Sequence, residues 1–258
     1  MYKKILKGIE NNEFQVFLQA KNNIINSNIV GAEALIRWSY GDNLVTPNTF
    51  IPMAENLNIV TPIDIFVFKT LCNYINKRKK TNLFNVPISC NASLQSLLND
   101  EYIDYIKIFM EQYNISPGEI EIEITETNEF NNFEQLYENM LKLKNLGINF
   151  ALDDFGNSYS TFKCLALPVS TLKIAGDFFH NKLHPYENKK IFLKNMVNLA
   201  SDLKVNLVVE GVETLEHIEI LNSCGCIYAQ GFYYSIPSNI NTFYNDYNKK
   251  NVSNNNIN

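Results

Sequence analysis

Short apolar runs rich in Val, Ile and Leu recur along the chain at intervals of about 25–50 residues, with helix-like stretches between them. The strand candidates are FQVFLQA from Phe14, IVGAEALIRW from Ile29, NVPISCNAS from Asn85 and EIEIEIT from Glu119. They continue with INFALDD from Ile148, VSTLKIA from Val169, VNLVVEG from Val205 and IYAQGF from Ile227. In the stretches between, such as Thr61–Lys77, Phe133–Gly147 and Glu187–Lys204, apolar residues return at spacings of three and four, as an amphipathic helix requires. Gly147 and Gly225 follow helix ends, and Ser116-Pro117 starts a turn. Strands and helices alternating about eight times predict an α/β fold, a single-domain (β/α)8 barrel. A doubly wound open sheet is the runner-up, disfavoured because no GxGxxG follows the first strand and no P-loop is present.

Carboxylates and amides gather at the C-terminal ends of these strands: Glu33, Asn91, Glu123, Asp153 with Asp154, Glu210 and Gln230, together with Lys173. In a barrel those ends converge on one mouth, where active sites are built. Carboxylates from different strands aimed at one small volume repel, and hard divalent cations with oxygen ligands are the natural compensation. In EIEIEIT the isoleucines share one face and Glu121 and Glu123 the other, toward the barrel axis. Asp153 and Asp154 cannot both point inward from a regular strand, so the chain is expected to leave the strand at Asp154, with Gly156 permitting the turn. Two metals about 3.5–4 Å apart are a recurrent device for hydrolysing phosphate esters.

The 258 residues are 46% hydrophobic and 19% charged, enough for a sizeable core. A net charge of −5 without a basic block argues against a duplex nucleic-acid partner, though a bound metal would admit an anionic ligand. Five scattered cysteines without CxxC read as free thiols in a reducing compartment. The opening MYKKILKGIENNEF has no apolar core of a signal peptide, and no apolar run reaches about 18 residues, so no transmembrane segment and a cytoplasmic location are expected. Residues 1–238 are expected to form the barrel and the Asn-rich residues 239–258 a disordered tail.

GAEALIRW, with Glu33-Ala34-Leu35, resembles the signature of EAL domains, bacterial phosphodiesterases that linearise cyclic di-GMP. The likeness runs from about Tyr2 to Pro237 and takes in FIPMAEN at Phe50, EIEITET at Glu121, ALDDFG at Ala151, LPVSTLKI at Leu167, VEGVET at Val209 and QGF at Gln230. The resemblance implies a modified TIM barrel whose first strand runs antiparallel to the rest. It implies Glu33, Asn91, Glu123, Asp153, Asp154 and Glu210 as ligands of two Mg²⁺ or Mn²⁺ ions. It implies Lys173 as the lysine that helps position and activate the attacking water, with Glu33 and Glu213 also in the catalytic set. Gln19, Arg37 and Gln230 match substrate-contacting positions, and Glu126 a residue that steadies the loop after the fifth strand. The implied substrate is cyclic di-GMP and the product linear pGpG. A homodimer and a sensory or GGDEF-type partner are further implications of the family.

The chain departs from the family pattern at several positions. Ala175 stands where the family has aspartate, on the same side of its strand as Lys173, so the ammonium loses a charge partner. Ser158 replaces a glycine, Ala20 a proline, Ile227 a common aspartate and Ile236 a basic residue. Two further readings therefore stand beside the phosphodiesterase: a cyclic di-GMP receptor without turnover, and a barrel enzyme acting on another phosphorylated or metal-chelating substrate.

Overall fold

The computed structural model describes residues 2–79, 86–125, 132–156, 162–180 and 186–255. Helix α1 (Tyr2–Glu10) precedes β1 (Phe14–Asn23), β2 (Ile29–Tyr40) and β3 (Asn43–Val45). Then come α2 (Pro47–Asn56), α3 (Thr61–Lys79), β4 (Ile88–Asn91), α4 (Leu94–Leu97), α5 (Asp100–Gln112), β5 (Ile120–Thr125) and α6 (Phe133–Asn145). The second half holds β6 (Asn149–Phe155), a 3-10 turn at Phe162–Ala166, β7 (Thr171–Ile174), α7 (Asp177–His180), α8 (Tyr186–Leu203) and β8 (Asn206–Val209). It ends with α9 (Leu215–Cys224), β9 (Tyr228–Gln230), β10 (Ser238–Asn239) and α10 (Ile240–Asn255).

Eight strands close into a ring in the order β1, β9, β8, β7, β6, β5, β4, β2 and back to β1. All neighbours from β2 through β4 to β9 are parallel, whereas β1 is antiparallel to both β2 and β9. The expected barrel with a reversed first strand is therefore present. The reversal has a simple cause. Only residues 24–28 separate β1 from β2, and a parallel pairing needs a crossover of about a dozen residues or more. Asn23 Oδ1 closes this hairpin by accepting from the Ile25 and Asn26 amides, at 2.9 and 3.4 Å.

Alternation sorts the strand side chains. Ala32, Ala34, Ile36 and Trp38 of β2, and Ile120, Ile122 and Ile124 of β5, lie in an apolar layer between the barrel and the helices. A second apolar cluster, built on Leu152, Leu172, Ile174, Leu207 and Val209, covers the other side beneath α8 and α9. Ala151, Ala175 and Val208 are buried but join neither cluster, as expected of side chains on the opposite, inward faces. The interior is mostly polar instead: Gln19, Lys21, Glu33, Ser89, Glu123, Thr171, Lys173 and Gln230 are all buried.

Two expectations are corrected. The Asn-rich stretch beyond residue 238 is not a structureless tail as far as it is described: β10 pairs with β1, and α10 continues to Asn255. Phe243 is buried in the first cluster, and Ile240, Tyr244 and Tyr247 pack against it. These four residues fall at i, i+3, i+4 and i+7, so the helix has an apolar stripe that the asparagines obscured. Nor does β6 end at Asp154. The strand runs on to Phe155, and the turn is taken inside it, with Asp154 at φ 55° and a register slip against β7 between Leu152 and Phe155. Aspartate tolerates this left-handed conformation better than most residues.

Candidate active site

The mouth of the barrel is organised around one buried ammonium. Lys173, the penultimate residue of β7, faces inward and is wholly shielded from solvent. Its Nζ lies 2.5 Å from Glu123 Oε2, 2.7 Å from Glu210 Oε1, 3.1 Å from Asp153 Oδ1 and 3.5 Å from Glu33 Oε2. A lysine this deep, without partners, would lose its proton. Here burial does pull its pKa down, but Asp153, Glu123, Glu210 and Glu33 outweigh it and hold the value well above normal.

The carboxylates respond unequally. Burial pushes Glu210 up to about 8, reinforced by Asp153, Glu33 and Glu123 and opposed by Lys173. Burial likewise raises Glu33 to about 7, with Glu123 adding to the effect and Lys173 opposing it. Asp154 is raised by burial and by its neighbour Asp153. Glu123 alone moves down: burial opposes ionisation, but Lys173 and Lys21 overcome it.

Further contacts fix the ring. Gln230 Nε2 donates to Glu33 Oε2 at 2.6 Å and to Gln19 Oε1 at 3.1 Å, and Asn91 Nδ2 donates to Glu33 Oε1 at 3.0 Å. Gln230 Oε1 is buried without a hydrogen-bond partner among the described residues. Asn91 is set by the loop after β4. There Asp64 of α3 accepts from the Ser93 amide, the Ser93 hydroxyl and the Ser96 hydroxyl at 3.0, 3.0 and 2.6 Å. Glu210 is set by a tight backbone crossing beyond β8, where Gly211 has φ +66° and a Cβ would stand 2.3 Å from the Gly176 carbonyl oxygen. Only glycine fits there.

The kink at Asp154 keeps both aspartates at the mouth. Ligand oxygens of Asp153, Asp154 and Glu210 lie within 4.8 Å of one another, a group that could hold a metal ion. The donor chemistry fits a hard divalent cation: Glu33, Glu123, Asp153, Asp154 and Glu210 supply oxygen, against two buried compensating cations at the site among the described residues, Lys173 and Lys21. Two cavities open beside Glu33. One of about 230 Å³ is lined by Gln19, Leu35, Glu210, Glu213, Gln230 and Phe232. The other, about 490 Å³, runs between Asn91, Asp153 and Asp154 on one side and Ile51, Glu55 and Val60 on the other.

Of the residues expected from sequence, Gln19, Glu33, Asn91, Glu123, Asp153, Asp154, Lys173, Glu210 and Gln230 meet at this mouth. Glu213 is exposed and lies on the rim of the smaller cavity, its amide donating to His217 Nδ1 at 3.2 Å. Arg37 lines neither cavity; its guanidinium sits 5.6 Å from the Phe17 ring centre and donates to the Ile36 carbonyl at 2.9 Å. Glu126 and Ser158 lie outside the described residues. The sequence reading missed Lys21, which bonds Glu123 from below, and Phe232, which is 60% exposed at the smaller cavity.

A polar-centred barrel with one reversed strand and a lysine ringed by carboxylates defines a particular class of domain. The chain belongs to the EAL-domain family, whose profile matches residues 3–237. It is 30% identical over 234 residues to protein Rv1354c of Mycobacterium tuberculosis, covering 90% of this chain and 37% of that one. To the cyclic di-GMP phosphodiesterase RocR of Pseudomonas aeruginosa it is 28% identical over 237 residues, covering 90% of this chain and 59% of RocR. The chain thus spans less than two thirds of the length of these relatives. Among solved structures, the MucR phosphodiesterase in complex with cyclic di-GMP matches with a TM-score of 0.86 at 25% identity, covering 94% of this chain and 98% of that one. An EAL domain protein from Listeria monocytogenes matches with a TM-score of 0.82 at 27% identity, covering 96% and 97%. No helix among the described residues is long and apolar enough to cross a membrane.

Proposed function

We propose that the chain is a metal-dependent phosphodiesterase that opens cyclic di-GMP to linear pGpG. The observation that carries this reading is the Lys173 ring: four carboxylates, from β2, β5, β6 and the residue just after β8, within 3.5 Å of one buried ammonium, with Asp154 completing an adjacent three-oxygen group. The residues that would hold two divalent ions, Mg²⁺ or Mn²⁺, are Glu33, Asn91, Glu123, Asp153, Asp154 and Glu210. When bound, such ions supply Lewis-acid polarisation of the phosphoryl oxygens and of the attacking water.

The chain's own residues do the rest. Lys173 places a fixed positive charge where negative charge develops on the reacting phosphate, in a site already shielded from water. Glu33 divides the two cavities, so the scissile phosphate would sit at Glu33 with one half of the dinucleotide on either side. Gln19 and Gln230 line the smaller cavity, and the unpaired Gln230 Oε1 is available to a ligand donor there. Phe232 offers an exposed ring on which a purine can stack. Arg37 and Glu213, on the periphery, would meet the outer phosphate and the rim, and Glu126 would steady the loop after the metal-bearing strands.

Ala175 supports a second reading, a cyclic di-GMP receptor with little turnover, because no carboxylate stands beside Lys173 at that position. Incubation with cyclic di-GMP and Mg²⁺ or Mn²⁺, followed by chromatography for pGpG, separates the two. Product supports the phosphodiesterase; saturable binding without product supports the receptor; neither overturns both. A cytoplasmic setting and a homodimer complete the proposal, with a sensory or cyclase-type partner domain that would fit the chain's spanning only part of the length of its relatives.

A further inference from the structure

Beneath the carboxylate ring lies a second buried lysine. Because β1 runs antiparallel to its neighbours, each inward residue along it lies deeper than the last: Gln19 faces Glu33 at the mouth, and Lys21 lies one step below, opposite Gly31. Lys21 Nζ is 2.8 Å from Glu123 Oε1 and 3.2 Å from Glu121 Oε1. Glu121 is fixed in turn by the Thr171 hydroxyl, which donates to its Oε2 at 2.8 Å. Glu123 is fully buried and is gripped by two lysines, one on each oxygen: Lys21 on Oε1 and Lys173 on Oε2 at 2.5 Å. The two grips differ in kind. Among the described residues Lys173 is shared among Glu33, Glu123, Asp153 and Glu210, whereas Lys21 pairs with Glu123 and Glu121 alone.

We infer that Lys21 is a positioning residue: anchored by Thr171 and Glu121, it pins the lower oxygen of Glu123 so that the upper oxygen is presented to a divalent ion at the mouth. The inference rests on the reading of Glu123 as a metal ligand and deepens it. Outer partners that orient a ligating side chain typically matter by roughly 10–100-fold in metal affinity. No water can take over the contact, since Glu123 has no exposed surface. The competing role for Lys21 is simple charge balance, and the two roles differ in sign. A mere counter-charge repels the incoming ion, so its loss would tighten metal binding. Loss of a positioning contact lets the carboxylate turn and weakens binding.

Mn²⁺ uptake by the full chain, followed by isothermal titration without nucleotide, reads that sign. Lys21→Met should weaken Mn²⁺ binding by roughly 10–100-fold. Since that variant strands Glu121 and can fail to fold, Lys21→Met combined with Glu121→Gln removes the stranded charge and should show the same loss, with folding checked by circular dichroism. Lys21→Arg should recover most of the affinity, because Lys21 borders a cavity of about 220 Å³ at the opposite end of the barrel that leaves room for the larger head. A folded double variant that binds Mn²⁺ as tightly as the parent, or more tightly, overturns the inference, as does a parent chain that takes up no Mn²⁺. Intact uptake without pGpG formation would count against the phosphodiesterase reading and leave the role of Lys21 standing.

Discussion

Glu33 touches more of the site than any other single carboxylate: it accepts from Asn91 and Gln230, lies 3.5 Å from Lys173, and borders both cavities. Glu33→Ala should therefore abolish divalent-dependent turnover, a loss of at least about a hundredfold or ~2.7 kcal/mol in barrier. Retained pGpG formation would remove Glu33 from the catalytic set. Ala175 poses the opposite experiment. It is buried, on the inward side of the strand line that carries Lys173, and outside both apolar clusters. Ala175→Asp should raise turnover about tenfold by giving Lys173 a further partner, and should lower the melting temperature without metal, because one more carboxylate is buried among groups already hard to ionise. An unchanged rate would show that the missing carboxylate is immaterial. Lys21 was legible at this scale and overlooked: a lysine two residues after Gln19 in a strand faces the same way, straight at the inward row of EIEIEIT. It does not sit at a strand's C-terminal mouth, because on the reversed strand the deeper residue comes later.

At the scale of elements, periodicity recovered the eight barrel strands and the long helices between them, because β-branched runs and three-four spacing follow directly from the backbone repeat. The reversal of β1 reached the sequence reading only through family resemblance. It was nevertheless encoded locally, in a connection of residues 24–28 too short for a crossover. The break in β6 at Asp154 was legible from the paired aspartates, but not that the strand resumes at Phe155, because that depends on a register slip against β7 that no single segment specifies. Helix α10 was lost to composition: asparagine-rich sequence reads as disorder, yet its aromatic stripe packs on the first cluster, and Asn239 Oδ1 accepts from the Thr242 amide at 3.0 Å at its start. Phe243→Ala should then cost about 3 kcal/mol in urea unfolding, as for other buried aromatics cut back to alanine. A variant as stable as the parent would mean that α10 contributes nothing to the barrel.

Over the whole molecule, apolar stabilisation lies outside the barrel and electrostatic strain inside it. The two apolar clusters between strands and helices hold the ring closed, while the interior confines more carboxylates than cations. Proton linkage makes this division measurable. Glu33 and Glu210 have ordinary values near 4.5 but are raised to about 7 and about 8 in the fold, and Asp64 is raised from 3.8 to about 6. Each group therefore binds its proton more tightly when folded, and its contribution declines as pH rises from its unfolded value to its folded one. Glu123 has the opposite sign, but its window lies below its ordinary 4.5. The raised lysines are affected only above their ordinary 10.5. Between about pH 5 and pH 8 these three buried carboxylates lose their contributions together, so in EDTA the melting temperature should fall across that range. Divalent ions bound at the mouth should reverse the trend, since they would replace the protons that the crowded carboxylates retain. Mn²⁺ should raise the melting temperature little near pH 5 and most near pH 8. A melting temperature that is flat or rising with pH in EDTA, or an Mn²⁺ effect indifferent to pH, would mean that the carboxylates at the mouth are not crowded enough to require a metal.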